Sequence, residues 1–391
     1  MAPVASLRPV HAPAAIVAGV AVVCGAVWLS VTVSATQAAL LLVGVAAGVA
    51  LYHAAFGFTS SWRALIAHGR GEGVRAQMVM LAVTTAVFVP LMARGTIFGH
   101  LVQGSVAPVG VPVMVGAFLF GIGMQLGGGC ASGTLFSAGG GSVRMYLTLL
   151  AFIVGSVVGL YDAPRWEHAP ALPPISLLRA YGPVGAVAVT GVVCGAIYLL
   201  AHRMERRRHG VVAPDEVAGQ THPWRGPWTL LAGGLALAAV NIATLLLAGR
   251  PWGVTAAFGL WGSKAAQVLG LGVAQWPYWS ATPARTAQLL APITSDVTSV
   301  MDIGIMLGAL TAAAFAGRFA PVWRIAGRSA LAAVVGGLLL GYGARIAFGC
   351  NIGAYFSGIA STSVHGWVWA AAAFAGNIVG TRLRPACGLS V

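Results

Sequence analysis

Apolar runs of about 20 residues, the length a helix needs to cross the ~30 Å hydrocarbon core of a bilayer, recur in this chain from residue 12 to residue 384. Lipid offers no partner to a backbone N–H or C=O, so each run must satisfy its own. The expected fold is an all-α polytopic membrane protein. Composition agrees, with 58% of residues hydrophobic and 8% charged, against roughly 25% charged in soluble domains. No soluble domain is expected beside the membrane part. The opening MAPVASLRPVHAP carries one Arg and precedes no A-x-A-like cleavage site, so residues 12–33 read as a retained span rather than a removable signal peptide.

Ten spans are predicted, at about 12–33, 36–56, 76–93, 111–127, 143–161, 180–202, 227–248, 297–317, 328–346 and 363–381. The net charge of +14 is scattered between them and forms no patch interleaved with aromatics, which argues against nucleic acid as a partner. Every basic residue but Lys264 is Arg. Because positive loops stay cytoplasmic, an inside N-terminus collects Arg8, Arg63, Arg70, Arg75, Arg144, Arg203, Arg206, Arg207, Arg208, Arg225, Arg318, Arg324, Arg328, Arg382 and Arg384 on that side, fifteen in all. Arg94, Arg165, Arg179, Arg250, Lys264 and Arg285 fall outside, and Arg345 ends a span. Both termini are expected in the cytoplasm.

The chain also repeats itself. GIGMQLGGGCASGTLFS (121–137) aligns without gaps to GYGARIAFGCNIGAYFS (341–357), with seven identities in seventeen that include the Gly-Cys pair. AAFGFTSSWRA (54–64) resembles AAFGLWGSKAA (256–266), and VVCGAVWL (22–29) resembles VVCGAIYL (192–199), in the same order. Three matched segments in register imply duplication. A unit of five spans is odd, so the second copy crosses the membrane in the opposite sense, an arrangement common in transporters. The expected division is a first membrane repeat over 1–202, a cytoplasmic loop over 203–226 and the rest of the second repeat over 227–391, that repeat starting near 180.

Segments around 56–70, 128–141, 252–275 and 349–361 are apolar but broken by Gly and Ser. Irregular backbone at membrane depth is tolerated only inside the protein or along a polar cavity. Inverted symmetry brings the two Gly-Cys segments, Gly129-Cys130 and Gly349-Cys350, in from opposite faces to meet near the midplane. A short helix after each Cys would aim N–H dipoles inward, a setting that suits a small anion. A thiol there is a weak, polarizable donor suited to sulfur ligands. Cys24, Cys194 and Cys387 read as small apolar fillers, and the absence of C-x-x-C gives neither a disulfide framework nor a zinc site.

The pattern G-x-G-x(5)-G-C-x-x-G, present as GIGMQLGGGCASG and GYGARIAFGCNIG, closely resembles the YeeE/YedE family of bacterial inner-membrane proteins. PWGVTAAFGLWGSK (251–264) resembles a further family segment more weakly. The resemblance covers most of the chain and implies uptake of thiosulfate, passed through an hourglass-shaped centre by S–H···S hydrogen bonds to cysteines matching Cys130 and Cys350. It also implies a small cytoplasmic TusA-like or rhodanese-like sulfur acceptor, for which the Arg-rich run 203–208 is a candidate dock. The sequence departs from the pattern at Gly57, which stands in HAAFGFTSSWR where family members with three pathway cysteines have the additional one. Cys24, Thr59 and Ser60 are the candidates to compensate. Two thiols also suit another sulfur oxyanion, a persulfide-like species or a selenium compound.

Gln125 and Arg345 occupy equivalent positions five residues before each Cys. An Arg inside a span is expensive and often functional, with snorkelling as the plain alternative. Lys264 is placed to attract an anion, and Asp302 to neutralise either charge. The lone histidines, His53, His68, His100 and His365, read as interfacial, and no metal site or cofactor is expected. Two other classes remain at this point: an intramembrane redox protein cycling Cys130 and Cys350 between dithiol and disulfide, and a soft-metal permease, which would favour clustered Met and paired Cys-His ligands.

Overall fold

The computed structural model describes residues 9–213 and 222–391. Arg8 and the middle of the loop read at 203–226 lie outside the described residues. The described residues are mostly helical, and the strands among them are two antiparallel pairs of two residues each, Thr96–Ile97 with His100–Leu101 and Val109–Gly110 with Ala171–Leu172.

The first half contains α1 (Ala12–Thr32), α2 (Ala35–His53), a short α3 (Phe58–Arg63) running into a π-turn at Ala64–His68, α4 (Glu72–Arg94), α5 (Val111–Gly127), a short α6 (Ala131–Gly139) and α7 (Val143–Glu167). The second contains α8 (Leu177–His209), α9 (Leu230–Ala248), α10 (Thr255–Val268), the surface helices α11 (Pro277–Ser280) and α12 (Pro283–Leu290), and α13 (Val297–Phe315) and α14 (Gly327–Ile346). It ends with a π-turn at Asn351–Phe356 leading into α15 (Ser357–Ala360), and with α16 (Val364–Leu383).

Nine helices among the described residues are long and apolar enough to cross a membrane, so this is a multi-pass membrane protein. The tenth expected span corresponds to α16, which has the length at 20 residues but not the apolarity of the nine. Its buried His365 and Asn377 are accommodated against protein, not lipid. The sixth span, expected to end at 202, continues in α8 to His209. Basic residues in the last turn, Arg206, Arg207 and Arg208, favour the negative end of the helix. Glu205 turns inward and is held by Arg75 and, at 3.4 Å, by Arg70.

At the centre, α7, α14, α5 and α16 lie side by side in that order. Flanking them, α2 packs along α13 with α1 on the rim, and α9 packs along α4 with α8 on the rim. Glycines set these distances. A Cβ at Gly48 would fall 2.1 Å from the carbonyl oxygen of Ile305, and one at Gly308 would fall 2.0 Å from that of Val45. The α2–α13 seam therefore pairs Gly44-x-x-x-Gly48 with Gly304-x-x-x-Gly308, the small-residue geometry by which helices associate in lipid, where no hydrophobic force drives them together. The outer faces of α1 and α8 are largely exposed apolar surface, as lipid contact requires.

Candidate functional site

Each Gly-Cys pair stands where a helix of the central row breaks off. After α5 the chain turns through Gly128 at φ +90°, and after α14 it turns through Phe348 at φ +59°, the equivalent position. Each turn delivers a cysteine in extended conformation to the head of a short helix: Cys130 is the N-cap of α6, and Cys350 the N-cap of the π-turn that leads into α15. Both side chains are buried, at 2% and 0% exposure. The π-turn packs on α6, and both cysteines belong to one buried core cluster.

The Cys130 thiol accepts from the Gly133 N–H at 3.4 Å and lies 3.4 Å from the Ser132 hydroxyl. The thiol of Cys350 makes no such cap, but its backbone is fixed from the side, where the Trp369 indole N–H donates to the Gly349 carbonyl at 3.2 Å. Rings surround the pair. Trp62 and Phe58 meet Tyr355 edge-on at 5.7 and 5.9 Å, and Tyr355 stacks on Trp369 at 6.3 Å. Several buried polar atoms near this centre have no partner among the described residues, including the Thr59 hydroxyl, both side-chain atoms of the Asn351 amide and the Nε of Arg345. Buried groups of this kind are costly unless something passing through satisfies them.

Gln125 and Arg345 act as braces. Gln125 donates to the Thr59 carbonyl at 3.2 Å and to Asn377 at 2.6 Å, tying α3 and α16 to α5. Arg345 donates to the Thr255 hydroxyl at 3.2 Å, tying the start of α10 to α14. Each thus anchors the broken segment of its own half. Arg345 also lines a cavity of about 340 Å³ with Arg285, Tyr278 and Phe348, two residues short of Cys350. Arg285 lies over the Tyr278 ring at 4.3 Å. Lys264 is not part of this cavity, since its ammonium is turned to the carbonyls of Leu289 and Ala291 at 2.5 and 2.6 Å.

At the opposite end of the row, Arg144 holds the last carbonyls of α5, Gly127 and Leu126, at 2.6 Å each, and Arg384 holds the Gln125 carbonyl at 2.6 Å. Arg63 donates to the Gln125 side chain at 3.3 Å. Burial, with the positive fields of Arg63 and Arg144 added, lowers the Arg384 guanidinium to about 10. Arg144 and Arg324 line a second cavity of about 610 Å³ with Ser137, Ser142 and Ser329, beside the far end of α6. Openings lined by arginine therefore lie towards both ends of the buried thiol centre, the one at Arg345 being lined by Glu167 as well.

Gly57 caps α3, and the Ser60 hydroxyl donates back to its carbonyl at 3.0 Å. Cys24 is exposed on the rim helix α1, away from this centre, which leaves Thr59 and Ser60 as the polar groups beside Gly57. Asp302 forms no hydrogen bond or ion pair with Arg345, Lys264 or any other described group. Sequence reasoning missed Asn351, Tyr355 and Trp369. Asn351 directly follows the repeated Gly-Cys, and that adjacency was the available signal.

A family model described as sulphur transport matches residues 53–379. The chain is 29% identical over 158 residues to a probable transporter YedE of Escherichia coli, covering 40% of this chain and 37% of that one. It is 26% identical over 349 residues to the thiosulfate transporter TsuA of Spirochaeta thermophila, covering 84% and 93%. It is 24% identical over 270 residues to the thiosulfate transporter TsuA of E. coli, covering 65% and 68%. The matches to the YedE proteins of E. coli and Salmonella typhimurium span only about a third of those relatives, 37% and 33%.

Proposed function

Because the chain belongs to the sulphur transport family, we propose that it takes up thiosulfate or a related sulfur anion across the bacterial inner membrane, along a central pathway where Cys130 and Cys350 hydrogen-bond the substrate sulfur. The observation that carries this reading is the burial of both thiols together, each heading a broken helix, between two openings lined by arginine. The transporter names of the relatives support transport without bond-making chemistry. A thiol donor, two inward helix starts and unpartnered amide and hydroxyl groups suit a guest that is anionic at one end and soft at the other.

The same reading makes the two halves antiparallel copies with both termini cytoplasmic. The pairing of α2 with α13 and of α9 with α4, and the central contact of α5 with α14, support it. A dianion entering against an inside-negative potential costs ~2.3 kcal/mol per charge per 100 mV, so uptake needs a sink or a co-ion. A small cytoplasmic sulfur acceptor would be such a sink, and the exposed arginines 203, 206, 207 and 208 at the end of α8 are its proposed dock.

In cells whose growth depends on imported thiosulfate, Cys130→Ala and Cys350→Ala are each expected to lower labelled thiosulfate uptake at least about 100-fold, the effect of losing ~3 kcal/mol. Cys387→Ala leaves uptake unchanged, with membrane levels of all three proteins equal by immunoblot. Normal uptake by both pathway variants would sink the thiol mechanism.

A further inference from the structure

Asp302 is fully buried in α13, five residues past its start and so about 7.5 Å along the axis, and neither carboxyl oxygen meets a donor. The other two buried acids are differently placed, for Glu205 is paired with Arg75 and Asp296 receives the N–H and hydroxyl of Ser299. A bare carboxylate with no partner in a membrane interior is untenable, so Asp302 rests as the neutral acid.

The elements packed against α13 bring little charge to it. Asp296 is at its own N-cap, and α10 offers Lys264, which is engaged by carbonyls. The head of α6 offers Cys130, and the π-turn with its N-cap offers Cys350 and Tyr355. Helix α1 carries His11 at the far end and the exposed Cys24, and α2 carries Tyr52 and His53 at the far end. Arg250 reaches the first turn of α13, where its guanidinium lies 3.4 Å from the Thr298 hydroxyl and 4.0 Å from Asp296, and among the described residues no cation pairs with Asp302 itself.

We propose that Asp302 is the proton-coupling group of the transporter, a proposal that rests on the sulfur-anion reading above. In each cycle the carboxyl takes one proton from water on the Arg345 side and gives it to water on the opposite side, with only its O–H bond made and broken. One proton accompanies one dianion, and the net charge moved falls from two to one. Asp302 acts through its protonation state and need not touch the anion.

The test uses the purified full chain in phosphatidylethanolamine–phosphatidylglycerol vesicles, with the membrane potential clamped at zero by potassium and valinomycin. A one-unit pH step, acid outside, is expected to drive labelled thiosulfate to about tenfold accumulation, the ratio set by one proton per anion. Asp302→Glu keeps that accumulation. Asp302→Asn brings thiosulfate only to equal concentrations, while thiosulfate exchange at uniform pH, which moves no net proton, persists and separates lost coupling from misfolding. Accumulation by Asp302→Asn equal to wild type, indifference of the wild type to the pH step, dependence on a sodium gradient instead, or loss of exchange along with accumulation in Asp302→Asn would each overturn the proposal. A wild-type protein that moves no thiosulfate would overturn the cargo assignment itself, and this proposal with it.

Discussion

Position 57 shows how one side chain can be traded for another at the centre. A Cβ at Gly57 would lie 2.4 Å from the Ser60 hydroxyl oxygen, which is the far end of a flexible side chain and free to rotate away. Gly57→Cys therefore gives up one hydrogen bond of about 1 kcal/mol and places a third thiol at the head of α3. If this position faces the pathway, uptake at low thiosulfate concentration rises about fivefold, as ~1 kcal/mol of added binding gives. Unchanged initial rates would remove Gly57 from the pathway. At this scale Cys130 and Cys350 were legible because a duplicated chain repeats what it retains, so two Gly-Cys pairs stand out against 54 glycines. Tyr355 and Trp369 were not, because in an apolar span an aromatic ring serves lipid, core and site equally well, and only the fold tells them apart. Asp302 was visible as a charge in a span, but the partners expected of it turned out to be engaged elsewhere.

Among elements, the α2–α13 seam is the contact with least slack. Gly48→Leu would drive a side chain into the backbone of Ile305 and Ala309, at a cost of about 3 kcal/mol or more, since neither helix can relax without parting from its neighbours. The same change at Gly19, which faces open space on α1, is the control and costs nearly nothing. The expected result is loss of the monodisperse peak and a lower thermal midpoint in detergent for Gly48→Leu alone. The spans themselves were readable from their apolar length, and the four broken segments from their Gly and Ser content. Which helix packs on which was not readable, because glycine spacing marks a close approach without naming the partner. The extension of α8 to His209 was hidden by its charges, which read as a loop until Glu205 is seen turned towards Arg70 and Arg75.

Taken whole, the molecule closes over its centre. Cys130, Cys350 and Cys194 are buried, Cys24 is exposed and Cys387 partly so. With no substrate present, a membrane-permeant maleimide is expected to add to Cys387 and to spare the three buried thiols and Cys24, whose exposed side faces lipid where no thiolate forms, as peptide mass spectrometry would read. Labelling of Cys130 or Cys350 as fast as Cys387 would show that the resting centre is open to water.

The seam between α2 and α13 also sets a schedule for making the protein. Helix α2 ends at His53 and its partner begins at Val297, 297 − 53 = 244 residues later. At the ~5–20 residues per second of synthesis, that is a delay of about 12–50 s. During it α2 rests in the bilayer with its backbone bonds satisfied internally. The glycine stripe that later admits α13 so closely gives a close fit only to a helix with a matching small-residue face. A face suited to the tightest contact in the finished protein is thus also one that waits safely in the unfinished one.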